Sequence, residues 1–384
     1  MPKVLLKNVV ARIKDKVDKD STNLEYYIGG EHFDYAEVCI TKRGVIQGST
    51  IGPAFHMHFM PGDVLLMSRN PHLRKAGVVD FEGICSDVSY VCRTKDESVL
   101  LQRYLPFIFQ TDHFWEFAER NKKGSTNFFL NWSDFEKYEF DLPDIEEQRK
   151  LTELLWAAQD TKMAYQELLR QSDELVKSQF IEMFGDPISN SKRLPVKLLS
   201  EVASSRLGKM LDAKKQTGKY RYPYLANFNV QWFHFDFSTL NQMDFNEDDQ
   251  VELSLENGDL MVCEGGEVGR CAVWHNEIER CYFQKAVHRV RCDTTQILPE
   301  YLAWWFHFHS SYNGFEDIIG SKSTIAHLPG VKLKALEIPT PHIALQQDFV
   351  SLVEQTDKSK FELKQSIANI TALMKSLMQQ DFSN

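Results

Sequence analysis

The chain has 384 residues, 43% of them hydrophobic and 12% aromatic, with a net charge of −10. That length exceeds one ordinary domain and fits two or three, and the composition excludes a disordered or fibrous protein. The acidic balance argues against a uniformly basic nucleic-acid binder but not against local basic patches, because binding depends on where charges lie.

In chain order, MPKVLLKNVVARIK contains no apolar run long enough for a signal peptide. No later segment approaches the ~18–20 uninterrupted apolar residues needed to span a bilayer. Seven cysteines (Cys39, Cys85, Cys92, Cys263, Cys271, Cys281 and Cys292) form an odd set without framework spacing. Together these features point to reduced thiols and a cytoplasmic protein without membrane association.

Residues 1–142 read as a mixed globule. DVLLM and SYVCR, bounded by turn residues, have strand character, and 101–119 has helical character. At LPDIEEQRKL the pattern changes to a long helix, 143–186, with Pro143 at its start and Asp144, Glu146 and Glu147 facing the positive end of the helix dipole. It stops at FGDP, where Gly185 can adopt a left-handed cap and Pro187 blocks continuation. This segment has five basic against ten acidic residues, half of the net negative charge. Residues 187–340 form a second mixed globule, with strands at DLMVCE and HRVRCD and a helix near 299–313. It opens with nine basic residues between Lys192 and Arg221, against Glu201 and Asp212. Residues 341–384 form a second long helix.

The halves repeat. PGDVLLMSR matches NGDLMVCEG, with Asp63 and Asp259 separated by 196 positions. KGST matches SKST, and PDIEEQ matches PHIALQ, each at a separation of 198. Three matches in one order at nearly one spacing indicate a long-period repeat. A heptad frame in the first helix passes Leu151, Leu154, Ala158, Thr161, Tyr165, Leu168, Ser172, Leu175 and Gln179. Its counterpart passes Phe349, Leu352, Thr356, Ser359, Leu363, Ser366, Ile370, Leu373 and Leu377. Leu155, Leu169 and Val176 flank the first frame; Val353, Ile367 and Met374 flank the second. Steps of three and four give a coiled-coil seam, and neither stripe is apolar enough to stand alone. The expected fold is α+β: two mixed α/β globules, each followed by a long helix, with the helices pairing antiparallel. About 40 residues at 1.5 Å each make a rod roughly 60 Å long.

LPDIEEQRKLTELLWAAQD and PTPHIALQQDFVSLVEQTD resemble the proline-to-glutamine helix starts of the DNA-specificity subunit of type I restriction–modification systems. RLGKML, TGKYRYPYLANFNV and ENGDLMVCEGGEVGRCAVW resemble that family's target-recognition domain, as do YYIGGEHFD, PGDVLLMSR and KGSTNFF less closely. The resemblance implies two recognition domains, each reading half of a split double-stranded DNA target. It implies a non-catalytic chain that binds no cofactor and recruits two methyltransferase subunits and restriction subunits. S-adenosylmethionine and ATP with magnesium would act on those partners. The first globule lacks the LGKM and YPYLANFNV segments, so its half-site is expected to differ.

Within that expectation, Lys209, Lys214, Lys215, Lys219 and Arg221 are candidates to neutralise phosphates. Asn227 and Asn229 have the chemistry to read adenine, and Arg69 and Arg270 to read guanine. Arg43, Asn70, Arg74, Lys75 and Lys122 extend the basic and polar set of the first globule. Lys123, Ser125, Thr126 and Asn127 are matched by Lys322, Ser323 and Thr324 as repeated hydroxyl-rich candidates. For each of these the competing role is an ordinary turn or solvated surface.

Other motifs carry less. GGEVGR lacks the GK[ST] ending of a phosphate loop and reads as a strand connection. YLAWWFHFH reads as core. The cysteines of the second half are spaced unlike zinc knuckles, and the pairs His56 with His58 and His307 with His309 lack a third ligand. NPH is not a methyltransferase motif, and PD followed by ELK imitates a nuclease only on long helices. Two other readings have their own signatures. A self-contained DNA-modifying or nuclease enzyme would act without partners, and a coiled-coil adaptor would bind protein independently of DNA.

Overall fold

The computed structural model describes residues 2–212, 216–316 and 327–382. It divides into two units, one comprising Met1–Leu169 with Glu362–Asn384, the other Arg170–Phe361.

In the first unit an antiparallel sheet has the order Val10–Ile13, Ser89–Thr94, Val64–Met67, Ala76–Val78. Val64–Met67 is buried on both faces, which explains why VLLM is a continuous apolar run and not an alternating one. A second sheet has the order Gly44–Val45, Tyr26–Ile28, Gly83–Ser86, Phe55–Phe59, its middle pair parallel. The second unit repeats this plan. Ala203–Leu207, Val287–Cys292, Leu260–Cys263 and Cys271–Val273 occupy the same order in its antiparallel sheet. Arg221–Leu225 pairs antiparallel with Asn241–Asp244 and parallel with Tyr282–Phe283. In each unit the first and last strands pair: Lys3–Leu5 with Glu139–Asp141, and Val196–Leu198 with Glu337–Pro339.

The matched PGD and NGD turns have one physical cause. Gly62 and Gly258 sit at φ +89° and +90°, where a side chain would strain the backbone. The next residue, Asp63 or Asp259, is 2% or 1% exposed and accepts the N–H of Met60 or Glu256 at 2.8 and 2.7 Å. The same carboxylates grip Arg93 and Arg291 on the neighbouring strand. Arg291 does so through Nε at 2.7 Å and Nη2 at 2.8 Å, a bidentate pair. Arg93 makes the same two contacts, with Nη2 at 2.8 Å.

Two helices of equal length, Ile145–Phe184 and Ile343–Phe382, carry the globules. Asp144 starts the first by accepting the N–H groups of Glu146 and Glu147 at 3.0 and 2.9 Å. Gly185 ends it at φ +80°. Each helix is seated on its globule by one fully buried glutamine. Gln148 accepts Leu101 N–H at 3.0 Å and donates to Val99 O and Pro143 O, both at 2.9 Å. Its counterpart Gln346 accepts Leu298 N–H at 2.8 Å and donates to Gln296 O and Pro341 O at 2.9 and 2.8 Å. The glutamine of both repeated motifs is therefore a clamp between helix and globule.

The helices pair antiparallel. In the first unit Leu155 shares a core with Met374 and Met378. In the second, Phe180 and Phe184 meet Phe349 at ring-centroid distances of 5.4 Å, and Lys360 bonds Asp173 at 2.7 Å.

Two sequence expectations need correction. The buried stripe of the first helix runs through Gln148, Thr152, Leu155, Gln159, Lys162, Val176 and Phe180, one residue on from the heptad frame. Leu154, Leu168, Leu175 and Leu373 are exposed by 45–52%, and Thr161 and Ser359 also face solvent. Leu151, Ala158, Leu352, Ile370 and Leu377 pack at the margin of the cores, and Tyr165, Thr356 and Leu363 are half-buried. Phe349 alone of the frame is fully buried. The reason is that each helix buries against its globule as well as its partner. Lys162, for example, lies 7% exposed with its ammonium on both oxygens of Glu37 at 2.8 Å. Segment 101–119 also departs from one helix. Its residues fall in two helices, Leu105–Ile108 and Asp112–Asn121, the latter running two residues past 119, separated where Thr111 caps the second by accepting Phe114 N–H at 3.2 Å.

Candidate nucleic-acid interface

In the first unit the loop after strand Val64–Met67 and the loop after helix Asp112–Asn121 meet at one edge. The chain leaving Val64–Met67 turns through Asn70 at φ +51° and Arg74 at φ +46°, both left-handed. The loop at 123–129 closes on itself, Lys123 and Phe129 exchanging backbone hydrogen bonds at 2.8 and 2.9 Å. Its Gly124 is required twice over: φ is +94°, and a Cβ there would lie 2.7 Å from Asn127 O. The loops are laced together by Asn70 N–H to Phe128 O and Leu130 N–H to Ser68 O, both at 2.9 Å. This brings Arg69, Asn70, Lys122, Lys123, Ser125, Thr126 and Asn127 together, although they come from segments over fifty positions apart.

Within that group the side chains differ in freedom. Ser125, Thr126 and Asn127 are exposed, and Arg69 is exposed above the Phe129 ring at 5.6 Å. Lys123 is half exposed and bonds Asp134 at 2.7 Å, a contact that holds the Asp134 carboxyl below its ordinary range. Lys122 bonds Glu119 at 2.7 Å and lies over Phe128. Arg74 and Lys75 belong to the scaffold: Arg74 bonds Asp112 at 2.5 Å, and Lys75 donates to Gly30 O at 2.6 Å. Arg43 precedes the edge strand of the other sheet, exposed and stacked over Tyr26 and Phe81 at 4.1 and 4.8 Å.

The second unit repeats the lacing. Leu328 N–H donates to Glu264 O at 2.6 Å, and Gly265 bridges His327, at positions matching Leu130 with Ser68 and Phe129 with Arg69. Lys322, Ser323 and Thr324 lie outside the described residues, as do Lys214 and Lys215. Lys219 and Arg221 are exposed. Their loop is fixed by Asp244, whose carboxylate accepts the Thr217 hydroxyl and Gly218 N–H, both at 2.7 Å, and also Thr217 N–H. Burial works to raise that carboxyl's pKa, but these bonds outweigh it and the net shift is downward. Lys209 is drawn inward, onto Asp249 and onto Asp244 O at 2.8 Å.

Asn229 serves the fold and not a base edge. It is fully buried, caps a short 3₁₀ turn by accepting Ala226 N–H at 2.9 Å, and donates to Asp236 O and Thr239 O at 2.8 Å. In the first unit His32 does the same work, its Nδ1 accepting Gly29 N–H at 2.9 Å. Arg270 is likewise turned onto Asn227, donating to Asn227 Oδ1 at 2.8 Å and to its carbonyl at 3.0 Å. Asn227 in turn donates to Gly265 O, so Asn227 and Arg270 tie the 3₁₀ turn to the loop edge. Phe228, between the two asparagines, is 46% exposed and was missed by sequence reasoning, because a lone aromatic between turn residues looks no different from core. His58 is held between Asp15 and Glu82, both at 2.8 Å. Among the described residues no cluster of three His, Cys, Asp or Glu side chains has the arrangement of a metal site, and no helix is long and apolar enough to cross a membrane.

Residues 194–372 match the family model described as "Type I restriction modification DNA specificity domain". A search of curated proteins gave no match. Among solved structures, a chain from a study of "complex assembly" and "conformational transition of the type I R-M system" shares the fold. It has 17% identity and a TM-score of 0.61, covering 99% of this chain and 97% of the other. The type I restriction–modification S subunit of M. genitalium aligns at 12% identity and a TM-score of 0.59, covering 100% of this chain and 96% of the other. Residues 194–372 are thus similar to the type I restriction–modification DNA specificity domain, and the chain as a whole shares the fold of these two solved structures.

Proposed function

We propose that this chain is the non-catalytic, sequence-reading subunit of a type I restriction–modification complex, each globule reading one half of a bipartite target in double-stranded DNA. The observation that carries the proposal is the doubled loop edge. Loops 69–70 and 264–265 leave matching strands and are laced to 123–129 and 327–328 through matching backbone bonds. Two readers built on one plan suit a target with two half-sites. Their different side chains suit half-sites of different sequence. In the first unit Arg69, Lys123 and the exposed Ser125, Thr126 and Asn127 would meet the duplex; in the second, Lys219 and Arg221 would meet phosphates. The helices would space the readers and offer a docking surface to two methyltransferase subunits. Restriction subunits would join that complex, and S-adenosylmethionine and ATP with magnesium would be bound by these partners in the cytoplasm.

The decisive experiment maps methylated adenines genome-wide with and without the gene. One split methylated motif is expected to disappear when the gene is deleted, and persistence of every such motif would overturn the proposal.

A further inference from the structure

Each unit contains a cleft where the globule meets the helices packed on it, and the repeat makes the two clefts comparable. Tyr35 and Phe233, Gln159 and Asp357, and Lys162 and Lys360 are wall residues related by the 198-residue spacing. The first-unit cleft beside Lys162 has a volume near 220 Å³, and a neighbouring one, lined by Gln102, Pro106 and Trp156 at the positions of Glu300, Trp304 and Glu354, has a volume near 650 Å³; the cleft of the second unit is near 630 Å³.

Their chemistry has diverged. In the first-unit cleft beside Lys162 the single wall carboxylate, Asp112, is already engaged by Arg74 at 2.5 Å, Lys375 at 2.9 Å and Gln379 at 2.7 Å. In the neighbouring one the chain's own Arg103 lies over the Trp156 ring at 5.4 Å, beside the wall carboxylates Asp80 and Asp160. In the second unit five carboxylates face two lysines. Asp173 and Asp357 hold Lys360 at 2.7 and 3.4 Å, while Glu174, Glu300 and Glu354 have no ionic or hydrogen-bonded partner among the described residues. The apolar wall is aromatic. Phe233 stacks on Trp304 with centroids 4.1 Å apart, and His307 meets Trp232 edge-on at 4.8 Å. Phe233 is held at φ +65°, unusual for a bulky side chain, with its N–H on Cys271 O at 3.0 Å. A carboxylate rim beside flat rings repels phosphate and favours a planar cation, since a guanidinium stacks on aromatic faces and forks onto carboxylates.

We propose that the cleft of the second unit receives an arginine side chain presented by a protein partner, and that its repeat mate in the first unit does not. The inference concerns protein binding alone and stands or falls separately from DNA reading.

The test titrates the full chain with a blocked Gly-Arg-Gly peptide while following tryptophan fluorescence, with Trp232 and Trp304 as reporters. The same peptide carrying citrulline or lysine in place of arginine provides the comparison. Saturable binding of the arginine peptide is expected, about tenfold tighter than the citrulline peptide and weakened by salt. The double variant Glu174→Gln, Glu354→Gln changes only exposed helix positions and should weaken binding about fivefold without altering circular dichroism. Equal binding of arginine and citrulline peptides would overturn the proposal. So would a lysine peptide binding as tightly, competition by duplex DNA for the same fluorescence change, or undiminished binding to the double variant.

Discussion

Asp259 shows how much of the globule's scaffold depends on single polar residues. It is 1% exposed, closes the NGD turn and forks onto Arg291. Asn in its place would keep the shape but lose the charge that Arg291 needs. Because Arg291 is one-third exposed, water offsets part of the loss. Asp259→Asn is therefore expected to cost about 2–3 kcal/mol, read as a lower urea midpoint at unchanged m-value. The sequence disclosed this pair only as a repeated "GD". Its arginine lies on another strand, 32 positions away, where no local pattern connects the two. Asn229 marks the opposite limit: as a letter it suits an adenine edge, and only its burial reveals that its bonds are spent on the turn.

At the scale of elements, the long helices were legible from their starts, their stop at Gly185 and their spacing, but the seam was displaced by one position. Heptad reasoning assumes that a helix has one partner. Here Leu155 faces both the opposite helix and the globule core, while Leu154 is half exposed. The two neighbours should respond very differently to charge. Leu155→Asp is expected to destabilise by about 3 kcal/mol or more, and Leu154→Asp by less than about 0.5 kcal/mol, measured by chemical denaturation. The strands were legible where apolar runs lay between turn residues. The break at Thr111 was not, because the aromatic-rich run reads as one helix until the cap is seen.

At the scale of the whole molecule, the repeat spacing conveyed most of the fold before any distance was known. Exposed side chains are the ones that local sequence constrains least, and this is why the candidate DNA-contacting residues were the least legible part. If the helices space the readers, adding one heptad to each at repeat-related positions should lengthen the gap between methylated half-sites, whereas adding one to a single helix should disrupt their pairing. Methylome sequencing of the matched variant reads this directly, and an unchanged gap in a folded protein would refute the spacing role.

The strand pairs that close each globule have a consequence for how such a protein can change. Lys3 lies opposite Asp141 and Leu5 opposite Glu139; Val196 lies opposite Pro339 and Leu198 opposite Glu337. Each globule therefore enters and leaves through adjacent strands, like a cassette with both connectors on one side. Genetic exchange between those connectors could replace an entire globule while leaving the glutamine clamps and the helices beyond them untouched. If the globules read DNA as proposed, new specificity would then be acquired by splicing, without rebuilding the scaffold one residue at a time.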